Sequence, residues 1–318
     1  MFFHSATCKV LTGLLCLSLA VFPLWAQSGA AASRQSSKET GPDTGLIIRS
    51  DTRLVVLHTT VQDNDNRPVA DLTQSAFEVY EDGELQQLKL FRREDVPVSL
   101  GILVDNSGSM RDKRLKVNAA AVDFVKASNP EDEVFIVNFN DEAYLDTPDF
   151  TSEIPRLQDA LQRVDARGGT ALYDAIGMSL DHILEKAKWD KKVLLVISDG
   201  EDNASRTTLE KMVRRLQETD VVIFAVGLLS EEDRRSARRA QRAIRNIVEA
   251  TGGAAYFPNE VDEVHAITQQ VAHDIRNQYI LGYTPSEAKP PGYRQVKVTL
   301  TGRAKRYQVR HRPGYYGQ

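Results

Sequence analysis

Between residues 96 and 278, short apolar runs alternate with longer stretches in which apolar residues recur at helical spacing. Five of the short runs predict β-strands: VSLGILVD, EVFIVNF, KVLLVISD, DVVIFAVGL and AAYF. Residues 193–197 and 221–226 are apolar at every position, which is typical of strands covered by helices on both faces. The pattern therefore predicts a doubly wound α/β domain with a mostly parallel sheet over residues 96–278.

The intervening stretches predict the helices of this domain. The predicted helices cover residues 115–127, 154–164, 172–187, 208–218, 234–250 and 260–279. Helices that alternate with buried strands are the connections that a parallel sheet requires.

Two β-rich flanks surround the α/β domain. Residues 46–95 contain strand-like runs, and FEVYEDG leads through a tight turn at Asp82 and Gly83 into the alternating run LQQLKLF, which predicts a hairpin. Residues 279–318 contain three further runs, YILGYTP, RQVKVTLTG and RYQVRHR, which are too few for a stable domain of their own. We therefore interpret the two flanks as parts of one split β-sandwich, with the α/β domain inserted between them.

The N-terminal stretch does not belong to the predicted fold. Residues 1–26 carry an apolar run before a small residue, as in a cleaved signal peptide, and both cysteines lie there. The apolar run is shorter than the roughly 20 residues that a membrane span needs, and a retained anchor is the alternative. Residues 27–45 are small and polar, which predicts a disordered linker. We expect an exported protein, periplasmic, cell-surface or secreted, whose mature chain has no transmembrane anchor.

The composition and charge of the chain indicate which kinds of partner to expect. The 318 residues are 42% hydrophobic and 26% charged, with a net charge of −4, as in an ordinary soluble globular protein. Basic and acidic residues are interspersed, so the sequence gives no large basic field. We therefore expect no nucleic-acid partner.

The first strand of the α/β domain ends in a group of oxygen-bearing side chains. Asp105, Ser107 and Ser109 form the pattern D-x-S-x-S directly after an apolar run. In an open parallel sheet, ligands bind at the carboxyl ends of the strands. One carboxylate and two hydroxyls make an oxygen-only ligand set, which hard cations such as Mg²⁺ prefer. Gly108 would let the chain turn so that both serines point to one position.

Two further segments carry oxygen-bearing side chains at a strand end or a helix start, where they could contribute to the same site. Thr170 follows two glycines beside the predicted start of a helix, and Asp199 ends a buried strand. Each piece alone has a simpler interpretation, such as a helix cap or a strand-ending turn. The three pieces in this order, on an alternating α/β pattern, predict a metal site.

With these residues in place, the chain resembles the von Willebrand factor A family, whose metal-ion-dependent adhesion site (MIDAS) consists of D-x-S-x-S, a distant Thr and a distant Asp. The resemblance covers residues 96–278. Its five site positions match in identity and order: Asp105, Ser107, Ser109, Thr170 and Asp199. The flanks also resemble a bacterial exported family related to it, in which a segment like FEVYEDG precedes the domain and a tail like YILGY…GYY follows.

The resemblance implies a binding mechanism. The three hydroxyl residues would contact the metal directly or through water, and the two aspartates would act largely through waters. One coordination position would stay open for a carboxylate of a partner. Mg²⁺ is the first candidate for the ion, with Mn²⁺ and Ca²⁺ as alternatives.

Other charged groups are open to two interpretations. Glu201 and Asp202 follow the strand-ending aspartate and would either tune the charge of the site or be solvated loop acids. Asp63 and Asp65 resemble the start of a calcium loop but lack its Gly and terminal Glu, which favours a hairpin turn. The arginine-rich run over residues 231–245 has an apolar stripe, which favours a solvated helix face over a surface for an acidic partner.

Three functions remain open at this point. The first is a non-enzymatic binding module for adhesion or assembly, in which the metal bridges to an Asp or Glu of a protein partner. The second is a metal-dependent hydrolase such as a phosphatase, although Ser107 stands where one class of phosphatase carries an aspartate as general acid. The third is a structural protein with a vestigial metal site. We expect the first.

Overall fold

The computed structural model of the chain describes residues 54–93, 95–126, 129–163, 165–229, 233–286 and 290–317. The predicted signal peptide (residues 1–26) and linker (residues 27–45) lie outside the described residues, as does the first β-rich run of the N-terminal flank. Within the described part of the chain, every helix is too short or too polar to cross a membrane.

Strands and helices alternate through the middle of the chain, and strands alone form the segments on either side. The strands are β1 (Val55–Gln62), β2 (Phe77–Glu81), β3 (Glu84–Gln86), β4 (Leu88–Arg92), β5 (Val98–Asp105), β6 (Glu133–Phe139), β7 (Ala143–Leu145), β8 (Lys191–Ser198), β9 (Val222–Gly227), β10 (Ala255–Tyr256), β11 (Tyr279–Tyr283), β12 (Gly292–Leu300), β13 (Gln308–Arg310) and β14 (Gly314–Gly317). The α-helices are α1 (Arg114–Lys126), α2 (Ile154–Gln162), α3 (Leu172–Lys186), α4 (Leu209–Gln217), α5 (Arg234–Thr251) and α6 (Val264–Arg276).

The central sheet has the strand order β10–β9–β8–β5–β6–β7. Neighbouring strands run parallel except at one edge, where the short strand β7 is antiparallel to β6. Helices α1, α2 and α6 pack on one face of the sheet, and α3, α4 and α5 pack on the other. Every residue of β5 is buried because both of its faces are covered. The predicted fold class, a doubly wound mostly parallel sheet flanked by β segments, is confirmed.

The last helix is shorter than the sequence predicts. A helix over residues 260–279 is wrong at both ends, since a 3₁₀ turn occupies Val261–Glu263 and α6 stops at Arg276. Tyr279 instead opens β11, where its buried hydroxyl donates a hydrogen bond to Val69 O (2.9 Å). Pairing with β1 and this contact outweigh the helical spacing of the sequence.

The strands on either side of the α/β domain pair with one another. One sheet has the order β13–β1–β11–β4 and the other β14–β12–β2–β3, and their ladders are antiparallel. Each sheet contains strands from both flanks, and the inner faces share one apolar core that includes Leu57, Val79, Leu281 and Val298. The observed arrangement is therefore the split sandwich that the sequence indicates.

The predicted hairpin joins β2 to β3. Asp82 and Gly83 both have positive φ (51° and 85°), the conformation that a tight two-residue turn of this kind requires. The run LQQLKLF beyond the turn is not one strand, because β3 stays with β2 while β4 pairs with β11 in the other sheet. The chain crosses between the sheets at Gln87, which the continuous alternation of the run does not reveal.

Asp63 organises the turn after β1. Its Oδ1 accepts hydrogen bonds from Asp65 N and Arg67 N, both at 2.9 Å. Across the turn, Val69 N donates to Val61 O (2.8 Å). The interpretation of this acidic segment as a hairpin turn is confirmed.

A buried carboxylate joins the two sheets of the sandwich. Glu81 is 0% exposed and accepts hydrogen bonds from the hydroxyls of Tyr283 (2.7 Å) and Tyr315 (2.8 Å) and from the guanidinium of Arg294 (3.2 Å). Tyr283 belongs to one sheet, while Tyr315 and Arg294 belong to the other. Because a buried charge is tolerated only when it is paired and hydrogen-bonded, the C-terminal tail completes the core of the N-terminal flank.

Polar contacts also connect the sandwich to the α/β domain. Arg310 of β13 donates to the fully buried Asp274 of α6 (3.1 Å), which also accepts from the Tyr256 hydroxyl of β10 (2.8 Å). Arg312 donates to Thr219 O just after α4 (2.8 Å). These contacts attach the tail of the chain to two separate edges of the inserted domain.

We expect the Glu81→Ala substitution to lower the free energy of unfolding by about 3–5 kcal/mol, because it removes a buried carboxylate that pairs with the Arg294 guanidinium and accepts from two tyrosine hydroxyls. Urea denaturation followed by circular dichroism measures the change. Glu78→Ala on the same strand is the control, since Glu78 is half-buried and bonds a single tyrosine hydroxyl. Equal losses for the two variants would contradict the role assigned to Glu81.

Candidate metal centre

Two adjacent strands of the central sheet lead to acidic side chains at the same edge. β5 ends at Asp105, and Asp199 follows the last residue of β8. The strands pair in parallel with Val104 opposite Ile197, so Asp105 is level with Ser198, and Asp199 follows one residue later at the same edge of the sheet. Both are buried, with exposed fractions of 0% for Asp105 and 7% for Asp199.

Asp105 is held by two hydrogen bonds. Its Oδ2 accepts from the Ser198 hydroxyl (2.6 Å), and its Oδ1 accepts from Ser107 N (2.7 Å). Burial raises the pKa of Asp105 to about 6; these hydrogen bonds oppose the rise, and the charge of Asp199 adds to it. Loss of solvation is therefore the dominant electrostatic effect on this carboxylate.

Asp199 is held by a hydroxyl and by a positive charge. Its Oδ1 accepts from the Ser109 hydroxyl (2.8 Å), which lies 3.1 Å from the hydroxyl of Ser107. Its Oδ2 accepts from Lys113 Nζ at 2.5 Å, and the same ammonium donates to Leu228 O (3.2 Å). A cationic group thus already balances this carboxylate.

A third loop brings Thr170 to the same place. Gly108 N donates to Gly168 O (3.2 Å), which joins this loop to the D-x-S-x-S turn. The Thr170 hydroxyl lies against Gly200, where an added β-carbon would come within 3.2 Å of Thr170 Oγ1. Thr170 N also donates to Asn203 Oδ1 (2.9 Å). The three loops contact one another pairwise and gather all the residues that the sequence selects: Asp105, Ser107, Ser109, Thr170 and Asp199.

The glycine on which this backbone depends is Gly168. It has a φ of +74°, and an added β-carbon would clash with the carboxylate of Asp141. Asp141 fills this space because its Oδ1 accepts a hydrogen bond from Gly169 N (2.7 Å). Gly108 does not have a positive φ, and the nearest atom to an added β-carbon is 3.7 Å away. The predicted turn at Gly108 does bring the hydroxyls of Ser107 and Ser109 to within 3.1 Å, but its backbone does not require a glycine.

Four side chains that the sequence does not single out hold the site in place. Ser198 and Lys113 bind the two aspartates, while Asp141 and Asn203 bind the backbone of the Thr170 loop. Ser198 and Lys113 are sequence neighbours of the selected residues, and that adjacency is a signal. Asp141 and Asn203 carry none, because the backbone that they bind is 28 and 33 residues away.

The loop after Asp199 is anchored on both sides. Asp202 accepts a hydrogen bond from Tyr173 N (2.9 Å) in the first turn of α3. Glu201 accepts from Arg239 Nε of α5, at 2.6 and 2.8 Å from its two oxygens, and this hydrogen bond lowers the pKa of Glu201. Both acids are half-buried, and both position the loop that carries the aspartate.

The donor set fits a hard divalent cation. It presents only oxygen atoms, from two carboxylates and three hydroxyls, as such cations prefer. In the described chain, no group of three or more His, Cys, Asp or Glu side chains is placed to hold a metal, so this mixed set differs from an acidic cluster. The ammonium of Lys113 against Asp199 shows that the site attracts a cation.

A comparison with known families agrees with this geometry. Residues 100–201 match the family model of the von Willebrand factor type A domain, and the matched range includes all five predicted site positions. This segment is therefore similar to a von Willebrand factor type A (VWA) domain. A comparison with curated proteins finds no match.

Solved structures with a similar fold come from bacteria and from an animal. The von Willebrand factor type A protein of Catenulispora acidiphila is 12% identical, with 83% of this chain and 74% of that chain covered and a TM-score of 0.49. BatB of Bacteroides thetaiotaomicron is 18% identical, with coverages of 56% and 98% and a TM-score of 0.46. Proximal thread matrix protein 1 of the mussel byssus, with a zinc-occupied MIDAS motif, is 17% identical, with coverages of 60% and 48% and a TM-score of 0.47. The chain spans about half the length of the mussel protein.

We expect Gly168→Ala to lower the melting temperature by about 3 °C or more, because alanine is strained at positive φ and its methyl group displaces Asp141. Gly108→Ala is the matched control in the contacting loop, where the methyl group has room, and its melting temperature should stay within about 1 °C of the parent. Differential scanning calorimetry compares the two variants. If they melt alike, the Thr170 loop does not depend on Gly168.

Proposed function

We propose that this protein is a non-enzymatic binding module for adhesion or assembly, in which a divalent cation in the VWA domain bridges to an Asp or Glu of a partner protein. The residues that would hold the ion are Asp105, Ser107, Ser109, Thr170 and Asp199. Mg²⁺ is the first candidate, since it favours oxygen ligands and keeps part of its water shell. When bound, the ion supplies positive charge and a coordination position for the partner's carboxylate.

The observation that carries this proposal is the convergence of three loops on two buried aspartates. Two carboxylates side by side at low solvent exposure repel each other and favour a counter-cation. The hydroxyls of Ser107 and Ser109 lie between the two strand ends and are part of the same hydrogen-bonded group. Domains of this family are typically interaction modules, which agrees with such a site.

The hydrogen bonding of the aspartates argues against the hydrolase alternative. Both oxygens of Asp105 and both oxygens of Asp199 accept hydrogen bonds within the site. These hydrogen bonds fix the orientation of both carboxylates, which suits them to holding an ion. A holding role therefore explains their geometry better than general base catalysis.

The alternative of a vestigial metal site has one observation in its favour. Lys113 makes an ion pair with Asp199 at 2.5 Å, and an ammonium can replace a metal as counter-charge. The side chain of Lys113 remains 22% exposed, however. We therefore propose that this ammonium leaves Asp199 when the divalent ion binds.

Export is also part of the proposal. It rests on the signal-like pattern of residues 1–26, and it would place the binding module in the periplasm, at the cell surface or outside the cell.

Metal binding tests the proposed function directly. We expect Mg²⁺ to bind the purified protein and to raise its melting temperature, because an ion that binds only the native state stabilises it by mass action. Asp105→Ala should abolish both effects, whereas Asp112→Ala, which removes an exposed acid nearby, should leave them unchanged. Isothermal titration calorimetry and thermal melts measure the effects, and Asp105→Asn serves as a second variant if alanine disturbs the fold. Equal Mg²⁺ binding by the parent and both Asp105 variants would show that the site is wrongly assigned.

Removal of the competing ammonium should strengthen metal binding. We expect Lys113→Met to tighten Mg²⁺ binding by about tenfold, or about 1.4 kcal/mol, because the ion no longer displaces a positive charge from Asp199. Lys116→Met is the matched control, since Lys116 lies three residues further along, in the first turn of α1, and pairs with Asp262, which is not one of the site residues. Titration calorimetry measures both affinities. No Mg²⁺ binding by the parent or by Lys113→Met would instead favour the vestigial site.

A further inference from the structure

The outer face of α5 carries a row of arginines. Arg234, Arg235, Arg238, Arg242 and Arg245 are all exposed, and at 100° per residue they fall within about 100° of the helix surface. The opposite face is apolar and buried in the domain core, with Ala240, Ile244, Ile247 and Val248. We call these five exposed residues the arginine row; it extends over about 17 Å along the helix.

Few acidic residues lie near the arginine row in the described structure: Asp233, the N-cap of α5, interacts electrostatically with Arg235. Arg239, at the border of the row, pairs with Glu201, but no member of the row forms an ion pair with any acidic side chain that the structure describes. Arg245 is placed over the ring of Phe257 at 5.2 Å, which gives that member a packing role. The other four have no such contact. Their charge is therefore available to a ligand.

Two features of α5 make the row unfavourable for the isolated helix. Arg238 is three residues from Arg235 and four from both Arg234 and Arg242, and like charges at these spacings repel. Asp233 caps α5, but the first turn itself contains arginines and no acidic residue, although the positive end of the helix dipole favours acids there. A chain with 40 basic and 44 acidic residues has no general excess of positive charge to account for this concentration. Helix stability does not explain the row.

The row begins beside the candidate metal centre. Glu201, two residues after Asp199, accepts hydrogen bonds from Arg239 Nε and from the Ser236 hydroxyl (3.2 Å), so the first turns of α5 are fixed to the aspartate-bearing loop. The preceding connection is fixed to the same edge, because Leu228 N donates to Ser198 O (2.9 Å). The positive charge of the arginine row thus begins close to the position that a bound cation would occupy.

We infer that the arginine row is a docking surface for an acidic segment of the partner protein, with one carboxylate of that segment on the metal and further carboxylates along α5. The inference rests on the proposed function, which requires a partner that presents an acidic residue. Arginine suits this task because its planar guanidinium binds carboxylates through two parallel hydrogen bonds. The partner class is therefore a protein with several acidic residues in sequence, not one with a single exposed Asp or Glu.

Fluorescence anisotropy with a labelled peptide of ten glutamates tests this inference on the purified protein with Mg²⁺ present. We expect the triple variant Arg235→Gln, Arg238→Gln and Arg242→Gln to bind the peptide at least tenfold more weakly than the parent. Its melting temperature should be unchanged or higher, because the substitution relieves repulsion and glutamine is a good helix former. A loss of stability that accompanied the loss of binding would overturn the inference, since the row would then be structural.

A matched control separates a local effect from a change in net charge. The substitutions Arg303→Gln, Lys305→Gln and Arg306→Gln remove the same charge from an exposed turn of the sandwich and should change peptide binding by less than twofold. Equal weakening by the two triple variants would overturn the inference. Tighter binding of heparin or of a single-stranded DNA oligonucleotide than of the peptide, without dependence on Mg²⁺, would also overturn it.

Experiments on Mg²⁺ binding distinguish a failure of this inference from a failure of the proposed function. Asp105→Ala should remove the Mg²⁺-dependent part of peptide binding and leave the arginine row intact. Mg²⁺ binding by calorimetry, together with peptide binding that the α5 variant does not weaken, would refute the docking surface and retain the metal-binding module. Absence of Mg²⁺ binding in the parent would refute the module itself.

Discussion

The structure of this protein depends on the meeting of two carboxylates at the ends of adjacent parallel strands. The register of β5 and β8 brings Asp105 and Asp199 to the same edge of the sheet, offset by one residue, and burial removes most of the water that would screen their repulsion. The surrounding hydroxyl groups, a backbone amide and the ammonium of Lys113 donate hydrogen bonds to the two carboxylates and so stabilise their negative charge. A divalent cation would satisfy the same constraint with more charge in a smaller space.

The same edge of the sheet organises the neighbouring helices. The loop that carries Asp199 continues through Glu201 to α5 and through Asp202 to the first turn of α3. The Thr170 loop is fixed by Asp141 on one side and by Asn203 on the other. The site is therefore built from loops, but each loop is attached to a rigid element, which is the condition for holding several donors around one point.

The sandwich joins the two segments of the chain that the α/β domain separates. Its two sheets each combine strands from before and after the α/β domain, and Glu81 binds residues more than 200 positions later in the sequence. Arg310 and Arg312 then attach the tail to α6 and to the segment after α4. Each sheet is thus completed by strands of both flanks, which come together beside the inserted domain.

The sequence by itself determined the features that depend on local pattern. Alternating apolar runs and helical stretches established the doubly wound sheet, and the position of Asp105, Thr170 and Asp199 at strand ends or helix starts brought them to one edge, because parallel strands share their carboxyl ends. Only the tertiary structure decided which residues bind each of the two aspartates. Ser198 and Asp105 are 93 residues apart, and Lys113 and Asp199 are 86 apart. Pairings at such separations depend on how whole elements pack, and the spacing of residues along the chain does not encode them. For the same reason the sequence selected Gly108 where the backbone requires Gly168, and it could not show that one alternating run divides between two sheets.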